Sequence, residues 1–422
     1  MSATKSTNFL QASGIMLIMA LGANIFHYLF HSIASRKLGP ADYGALSSML
    51  ALLTIASISG QAIQIVLAKK IAIQVVKKKY DYILSLAKHF LIKVLIISTI
   101  VVVLFLSSSF FLKKFFRLDS IWPLWVLGIT VISMLMLTVI RSLLQGFQYF
   151  TVLGLSIFLE SGLRLGIGTA FILWGWGVSG ALIGNWVSDT VVFILVIPPL
   201  LWILREKIIT IASQELREIY RETLFILAVL TSCVLLGILD VIMVKHFFAP
   251  TLAGYYSAVA LVGKTFLLIP VTIAQVMLPK VSISWDKGNS NLQLVWKSLV
   301  ITVSIMLLGF GVVWFIPHII IQGIFGNQFL NAQVIFLVKF IGLVVTPLGF
   351  TYILLQYNIV IKSRYYLILL LIDVVLLISM LILFHQTLKQ VMLVVGINHL
   401  LVAVIGYLIT SSQNKNLPRL AS

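Results

Sequence analysis

Apolar runs of about twenty residues recur along this chain roughly a dozen times, separated by short polar breaks. A helix needs about 20 apolar residues to cross a bilayer. With 60% hydrophobic and only 10% charged residues in 422 positions, too little polar sequence remains for a water-soluble fold or a large extramembrane domain. The runs are continuous, whereas a membrane β-strand alternates and lasts only about 9–11 residues. The expectation is an all-α, multi-pass membrane protein of about twelve helices, near 12–35, 44–67, 89–112, 121–144, 151–174, 178–203, 223–247, 255–279, 294–320, 332–356, 365–384 and 390–411.

The formal net charge of +18 would suggest nucleic acid in a soluble chain. Here the basic residues segregate by loop. About nineteen fall on the side of the N-terminus and the even-numbered loops, among them Lys5, Lys69 to Lys88, Arg141, Lys280, Lys287, Lys362, Lys415 and Arg419, against about seven on the other side. Both termini are therefore expected in the cytoplasm, and nucleic acid is not expected as a partner. The polar start, Met1 to Gln11, leads into an apolar stretch too long for a signal-peptide core, which reads as the first span. Trp122, Trp125, Trp174, Trp176 and Trp314 lie near outer span ends and suit an interfacial belt. The single cysteine, Cys233, excludes an intrachain disulfide or a cysteine metal cluster. No cofactor or metal is expected.

A shift of about 210 residues aligns Pro40 with Pro250, Gly44 with Gly254, Ser47 with Ser257, Ile63 with Ile273, Val66 with Val276 and Lys70 with Lys280. Each Pro-x-x-x-Gly falls after the first span of its half, and reads as a sharp outer turn in which Pro fixes φ and Gly permits positive φ. Six spans per half make the repeats parallel, a transporter plan with two bundles and a cleft. The expected organisation is a bundle over 1–203, an amphipathic cytoplasmic linker over 204–222 and a second bundle over 223–422. The linker holds four of the twelve acids, and Ile211, Leu216, Ile219 and Tyr220 share one helical face.

Gly263-Lys264-Thr265 imitates the tail of a phosphate-binding loop, but Ala258 stands where that loop needs glycine and the triplet lies in mid-span. Charges inside a bilayer are costly and mark pathways. The candidates for substrate contact are Lys264, Arg164, Lys339, His27 and His31; those for ion coupling are Asp240, Glu160, Asp189 and Asp373. Each also has a structural reading. Glu160 and Arg164, four apart, neutralise each other; Lys339 snorkels to an interface; Asp189 and Asp373 accept hydrogen bonds from neighbouring helices; His27 and His31 pack or line a cleft. Asp240 and Lys264 flank the Pro250–Gly254 turn at similar depth, about ten residues to each side, and are expected as a displaceable ion pair whose lysine contacts the substrate. Pro270 and Pro347 fall inside spans and are expected to kink them or act as hinges.

Leu38-Gly39-Pro40-Ala41-Asp42-Tyr43-Gly44 resembles the signature of the polysaccharide-transporter family, which includes O-antigen and exopolysaccharide flippases within the multidrug/oligosaccharidyl-lipid/polysaccharide exporter superfamily. Leu239-Asp240-Val241-Ile242-Met243, Ala253 to Ala258 and Leu278-Pro279-Lys280-Val281-Ser282 resemble that family's seventh and eighth helices. The resemblance implies a V-shaped pair of six-helix bundles around a central cleft. It also implies export of undecaprenyl-pyrophosphate-linked oligosaccharides across the bacterial inner membrane, with membrane lipids and glycan polymerase or assembly proteins as partners. A cation-coupled multidrug antiporter of the same superfamily is the second expectation. A membrane glycan polymerase or ligase is disfavoured, because such proteins need a sizeable outer loop for catalytic groups and the longest here is about ten residues. The chain is not expected to be an enzyme.

Overall fold

The structure, a computed structural model, describes residues 9–286, 292–361 and 363–415, and contains no strand among them. Lys5, Lys287, Lys362 and Arg419 lie outside the described residues, as do the side chains of Leu278, Pro279, Lys280, Ser282 and Lys415. Fourteen α-helices run in order: α1 Phe9–Val76, α2 Tyr80–Ser107, α3 Ser109–Phe115, α4 Trp122–Gly146, α5 Phe150–Leu173, α6 Gly177–Val196, α7 Ser213–Leu236, α8 Leu239–Phe247, α9 Pro250–Asp286, α10 Leu292–Phe315, α11 Pro317–Ile324, α12 Ala332–Val360, α13 Arg364–Leu383 and α14 Leu388–Lys415.

Eleven helices among the described residues are long and apolar enough to cross a membrane. The first such stretch, Gly14–Val76, has 63 residues and at ~1.5 Å per residue is long enough for two crossings. It is two helices that meet at Gly39, whose φ of 75° and ψ of 174° interrupt the helical path. α1 thus supplies the first two of the twelve expected spans. The protein is a multi-pass membrane protein, and its surface agrees: Ile97, Ile100, Val101 and Leu104 on α2 and Ile372 and Val375 on α13 are exposed aliphatic side chains, as expected of helix faces solvated by lipid.

The turn of the Pro-x-x-x-Gly repeat is built differently from the sequence expectation. Gly44 and Gly254 are buried, helical residues, not turn residues. The positive φ belongs to Gly39, and Pro40 and Pro250 are the first residues of the helices that follow, where a missing N–H costs nothing and φ is already helical. In the second half Phe248 is extended, at φ −99° and ψ 163°. The expected lysine-rich loop from Lys69 to Lys88 is also mostly helix: α1 reaches Val76 and α2 begins at Tyr80. The turn between them is Lys77 to Lys79, with Lys78 at φ 54° and the Lys79 amide donating to Gln74 O at 3.1 Å. Arg117 and Gln148 close α3 and α4 in the same left-handed way, without glycine.

The chain divides into two compact units, Met1–Leu227 and Ala228–Ser422. In the first, α1 packs on α4 and α5, α5 on α6, and α4 on α2 and α6. α5 and α6 cross at glycines: a Cβ on Gly184 would lie 2.4 Å from Gly168 Cα, so only glycine lets the two backbones meet there. Before α7 the chain is non-helical over 206–212. Its Ile209 amide donates to Ser85 Oγ at 2.8 Å. The helix from Ser213 then continues unbroken into the following span. Its first turns are amphipathic, with Ile219 buried and Arg217 and Glu218 exposed, and Tyr220 Oη lies 2.8 Å from His89 Nε2 on α2. In the second unit α12 is the central helix, packed on α9, α10 and α14, with α13 against α14.

Candidate functional site

A cavity of about 290 Å³ opens among α1, α4, α5 and α6 of the first unit. Two arginines and two carboxylic acids line it: Arg141 from α4, Glu160 and Arg164 from α5, and Asp189 from α6. Ser156, Glu160 and Arg164 stand four apart on α5, so they form one polar stripe. Arg141 spans the gap from α4. Its Nη1 lies 2.8 Å from Glu160 Oε2. Its Nε donates to Ser156 Oγ, and its Nη2 to Ser156 O, both at 3.0 Å. The other Glu160 oxygen pairs with Arg164 one turn on. One carboxylate is thus shared by two guanidiniums, and the Nε of Arg164 is buried without a protein partner. Thr54, Ser57, Gln61 and Gln64 of α1 add a neutral polar wall.

With both carboxylates ionised these four groups carry no net charge; a proton on either acid leaves the cavity at +1. The cavity is therefore built to present guanidinium donors in fixed orientation, with a counter-charge that a proton or a competing anion removes. His27 also lines it. His31, one turn away with ring centroids 4.6 Å apart, is buried and engages Tyr43 Oη through Nδ1 at 3.0 Å.

The second unit holds a space of only about 20 Å³, lined by Asp240 of α8, Lys264 of α9, His399 of α14 and apolar residues of α12. Asp240 and Lys264 are brought together as expected, but not as an ion pair: the pair is not among the contacts under 4 Å of the described residues. Asp240 sits in the first turn of α8, where its Oδ1 accepts from the Val241 amide and its Oδ2 from Tyr256 Oη, each at 2.8 Å. A volume of this size holds about one water. A pyrophosphate does not enter it in this conformation. Lys339 is not in this lining; it lies over the Trp314 ring at 5.6 Å. Asp373 is buried on α13, with Oδ1 accepting from Asn398 Nδ2 at 3.0 Å and Oδ2 unpartnered. Pro270 and Pro347 both lie inside continuous helices, α9 and α12.

Gly263, the centre of the false nucleotide motif, has a packing role. A Cβ there would stand 2.7 Å from Ile341 Cγ1 on α12. Two charged or titratable residues that line the cavities, Arg141 and His399, are absent from the sequence candidates. Arg141 was counted among loop charges because it lies five residues before the end of α4; the signal for it was the polar stripe on α5, which leaves a buried carboxylate in need of a second cation. His399 is not among the sequence candidates, although Asn398-His399 is a polar pair in the middle of an apolar span.

The family described as polysaccharide biosynthesis protein matches residues 9–285, about two thirds of the chain. The chain belongs to that family. Solved structures give this family member its fold class. A multidrug resistance transporter of the MATE family, in an inward-facing conformation, superposes with a TM-score of 0.77 at 16% identity, over 95% of this chain and 96% of its own. The lipid II flippase MurJ, inward closed, gives 0.69 at 14% identity over 96% and 88%. A MOP superfamily transporter from Pyrococcus furiosus Vc1, described by the reverse polarity of its binding pocket, gives 0.62 at 17% identity over 99% of both chains. This polysaccharide biosynthesis family member therefore has the helical fold of MOP superfamily transporters. No curated protein matches it.

Proposed function

We propose that this protein is a flippase that moves undecaprenyl-pyrophosphate-linked oligosaccharide units across the bacterial inner membrane, with both termini cytoplasmic. The observation that carries the reading is the Arg141–Glu160–Arg164 cluster in a polar cavity of about 290 Å³. Guanidinium groups match phosphate oxygens in pairs, and here two of them are held in place by one displaceable carboxylate. Arriving phosphate takes the place of Glu160 on Arg141 and Arg164. Glu160 or Asp189 then accepts a proton or cation, which ties substrate entry to an ion gradient. The polar wall of α1 suits sugar hydroxyls. The family match to polysaccharide biosynthesis supports the glycan as cargo.

A second reading, a cation-coupled multidrug antiporter, draws on the MATE likeness and on the two carboxylates of the same cavity. The two diverge on which charge the substrate needs. Deletion of the gene, with analysis of the lipid carrier, is the test. Accumulation of a glycan-loaded carrier on the cytoplasmic leaflet, relieved by the wild-type chain and not by Arg141→Ala, supports the flippase. An unloaded carrier with altered sensitivity to organic cations supports the antiporter and overturns the first reading.

A further inference from the structure

His399 on α14 is buried at 2% exposure, and both of its ring nitrogens face backbone carbonyl oxygens: Nε2 lies 3.0 Å from Leu236 O, and Nδ1 3.1 Å from Val344 O. A carbonyl only accepts. A neutral imidazole has one N–H and one lone pair, so it satisfies one of these contacts and sets a lone pair against an oxygen in the other. Turning the ring over replaces both nitrogens by carbon and satisfies neither. The arrangement is complete only with a proton on each nitrogen.

The two carbonyls belong to different helices. Leu236 is the last residue of α7, so its carbonyl has no next-turn amide in its own helix. Val344 lies three residues before Pro347, which has no N–H for the carbonyl of the adjacent Leu343. His399 thus joins the α7–α8 break to the proline site of α12. The charged and titratable groups around it are Asp240 from α8 and Lys264 from α9, in the same cavity. Tyr256 of α9 is engaged with Asp240, and Asp373 of α13 is engaged with the neighbouring Asn398. α12 presents only apolar residues to this space. Asp240 is the one carboxylate among the described residues that line this space; it faces both Lys264 and the imidazole, so with all three ionised the space carries a net charge of +1.

We propose that His399 is the proton-binding site of the second unit: its imidazolium clamps the end of α7 to α12, and loss of one proton releases one of the two carbonyls. This names the coupling ion for the transporter reading above and rests on that reading for its use. The proton leaves one ring nitrogen for a water, for which the cavity of about 20 Å³ has room. The remaining N–H keeps one carbonyl, and the other helix turn is freed.

Nitrogen NMR of the full-length protein in micelles, labelled with ¹⁵N-histidine and assigned by His399→Gln, reads the site without any substrate. Two N–H signals from the His399 ring at about pH 5, of which one is lost by about pH 8, are expected. A single neutral tautomer throughout, or two protons throughout, overturns the proposal. Hydrogen exchange, corrected for intrinsic rates, supplies the second measurement. Protection over 234–242 and 343–349 is expected to fall with the same midpoint in the wild type and to lose that pH dependence in His399→Gln. An unchanged pH dependence in the variant overturns the clamp. Should the glutamine variant not fold, Asp240→Asn serves: losing the negative neighbour moves the midpoint to lower pH, and an unmoved midpoint counts against the proposal. A flipping assay that fails while these titrations succeed removes the flippase reading and leaves the proton site standing.

Discussion

Arg141 and Glu160, on neighbouring helices α4 and α5, are 2.8 Å apart with side chains only 14% and 15% exposed. Each is the main charge partner that the other helix supplies. Arg141→Ala leaves Glu160 with Arg164 alone and frees Ser156, so transport is expected to fall severely while the protein still inserts. The stability loss is expected at about 1–3 kcal/mol, the scale of lost hydrogen bonds to a charged group, read as a lowered Tm in detergent. Arg141→Lys retains the charge without the paired donors and should keep part of the activity. Normal transport by Arg141→Ala would sink the cavity as the phosphate site.

Arg141 and Glu160 should also couple energetically. In a double-mutant cycle of Arg141→Met and Glu160→Gln, the double variant is expected to be about 0.5–3 kcal/mol more stable than additivity gives, because the Arg141–Glu160 contact that each single change removes is lost only once. Additive losses would mean that the contact contributes nothing.

Gly263→Val should destabilise the second unit by about 1–3 kcal/mol through overpacking, since even a Cβ there meets Ile341 at 2.7 Å. Binding of ATP analogues should be undetectable in the wild type and the variant alike. A valine variant with unchanged unfolding temperature would show that α9 and α12 separate freely at this crossing.

Tyr256→Phe removes the hydroxyl that donates to Asp240 at 2.8 Å. A loss of about 1–3 kcal/mol is expected for a buried acceptor left short of a partner, and Asp240→Asn should restore part of it by lowering the charge to be satisfied. A phenylalanine variant as stable as wild type would show that water replaces the hydroxyl.

Cysteines placed at Lys77 and Ser120 in a Cys233→Ser background test orientation. Impermeant thiol reagents added to intact cells are expected to label position 120 and not 77, because the basic residues gather on the side of Lys77. Labelling of position 77 would reverse the topology.

The helical architecture and span count were legible because a bilayer forces long apolar runs. The breaks were not. Hydropathy sees one seventh span, yet the chain stops α7 at Leu236 and restarts at Leu239, since Gly237 and Ile238 are as apolar as their neighbours. Hydropathy also ends a helix where lysines begin, whereas α1 and α2 run on past the apolar stretch and meet in a three-residue turn. At the repeat the motif was real but its glycine was misread. The left-handed residue is Gly39, while Gly44 is buried inside the next helix. Of the residues that intramembrane charge picks out, Glu160, Arg164, Asp189, Asp240 and Lys264 line the two cavities. Charge alone does not reveal that Lys264 stops short of ion-pair contact with Asp240, nor that Tyr256, a tyrosine across the turn, donates to that carboxylate.

That tyrosine has a counterpart. Tyr43 reaches back over the Gly39 turn to His31, and Tyr256 reaches back over the Pro250 turn to Asp240, with the partners 12 and 16 positions apart. His31 and Asp240, one in the first hairpin of each unit, therefore each find a mate inside that same hairpin, before any later helix exists. Loops this short close readily. The two hairpins can enter the bilayer with these groups already mutually satisfied, so biosynthesis need not delay their insertion until the cavity-forming helices α4 to α6 or α12 to α14 have been made.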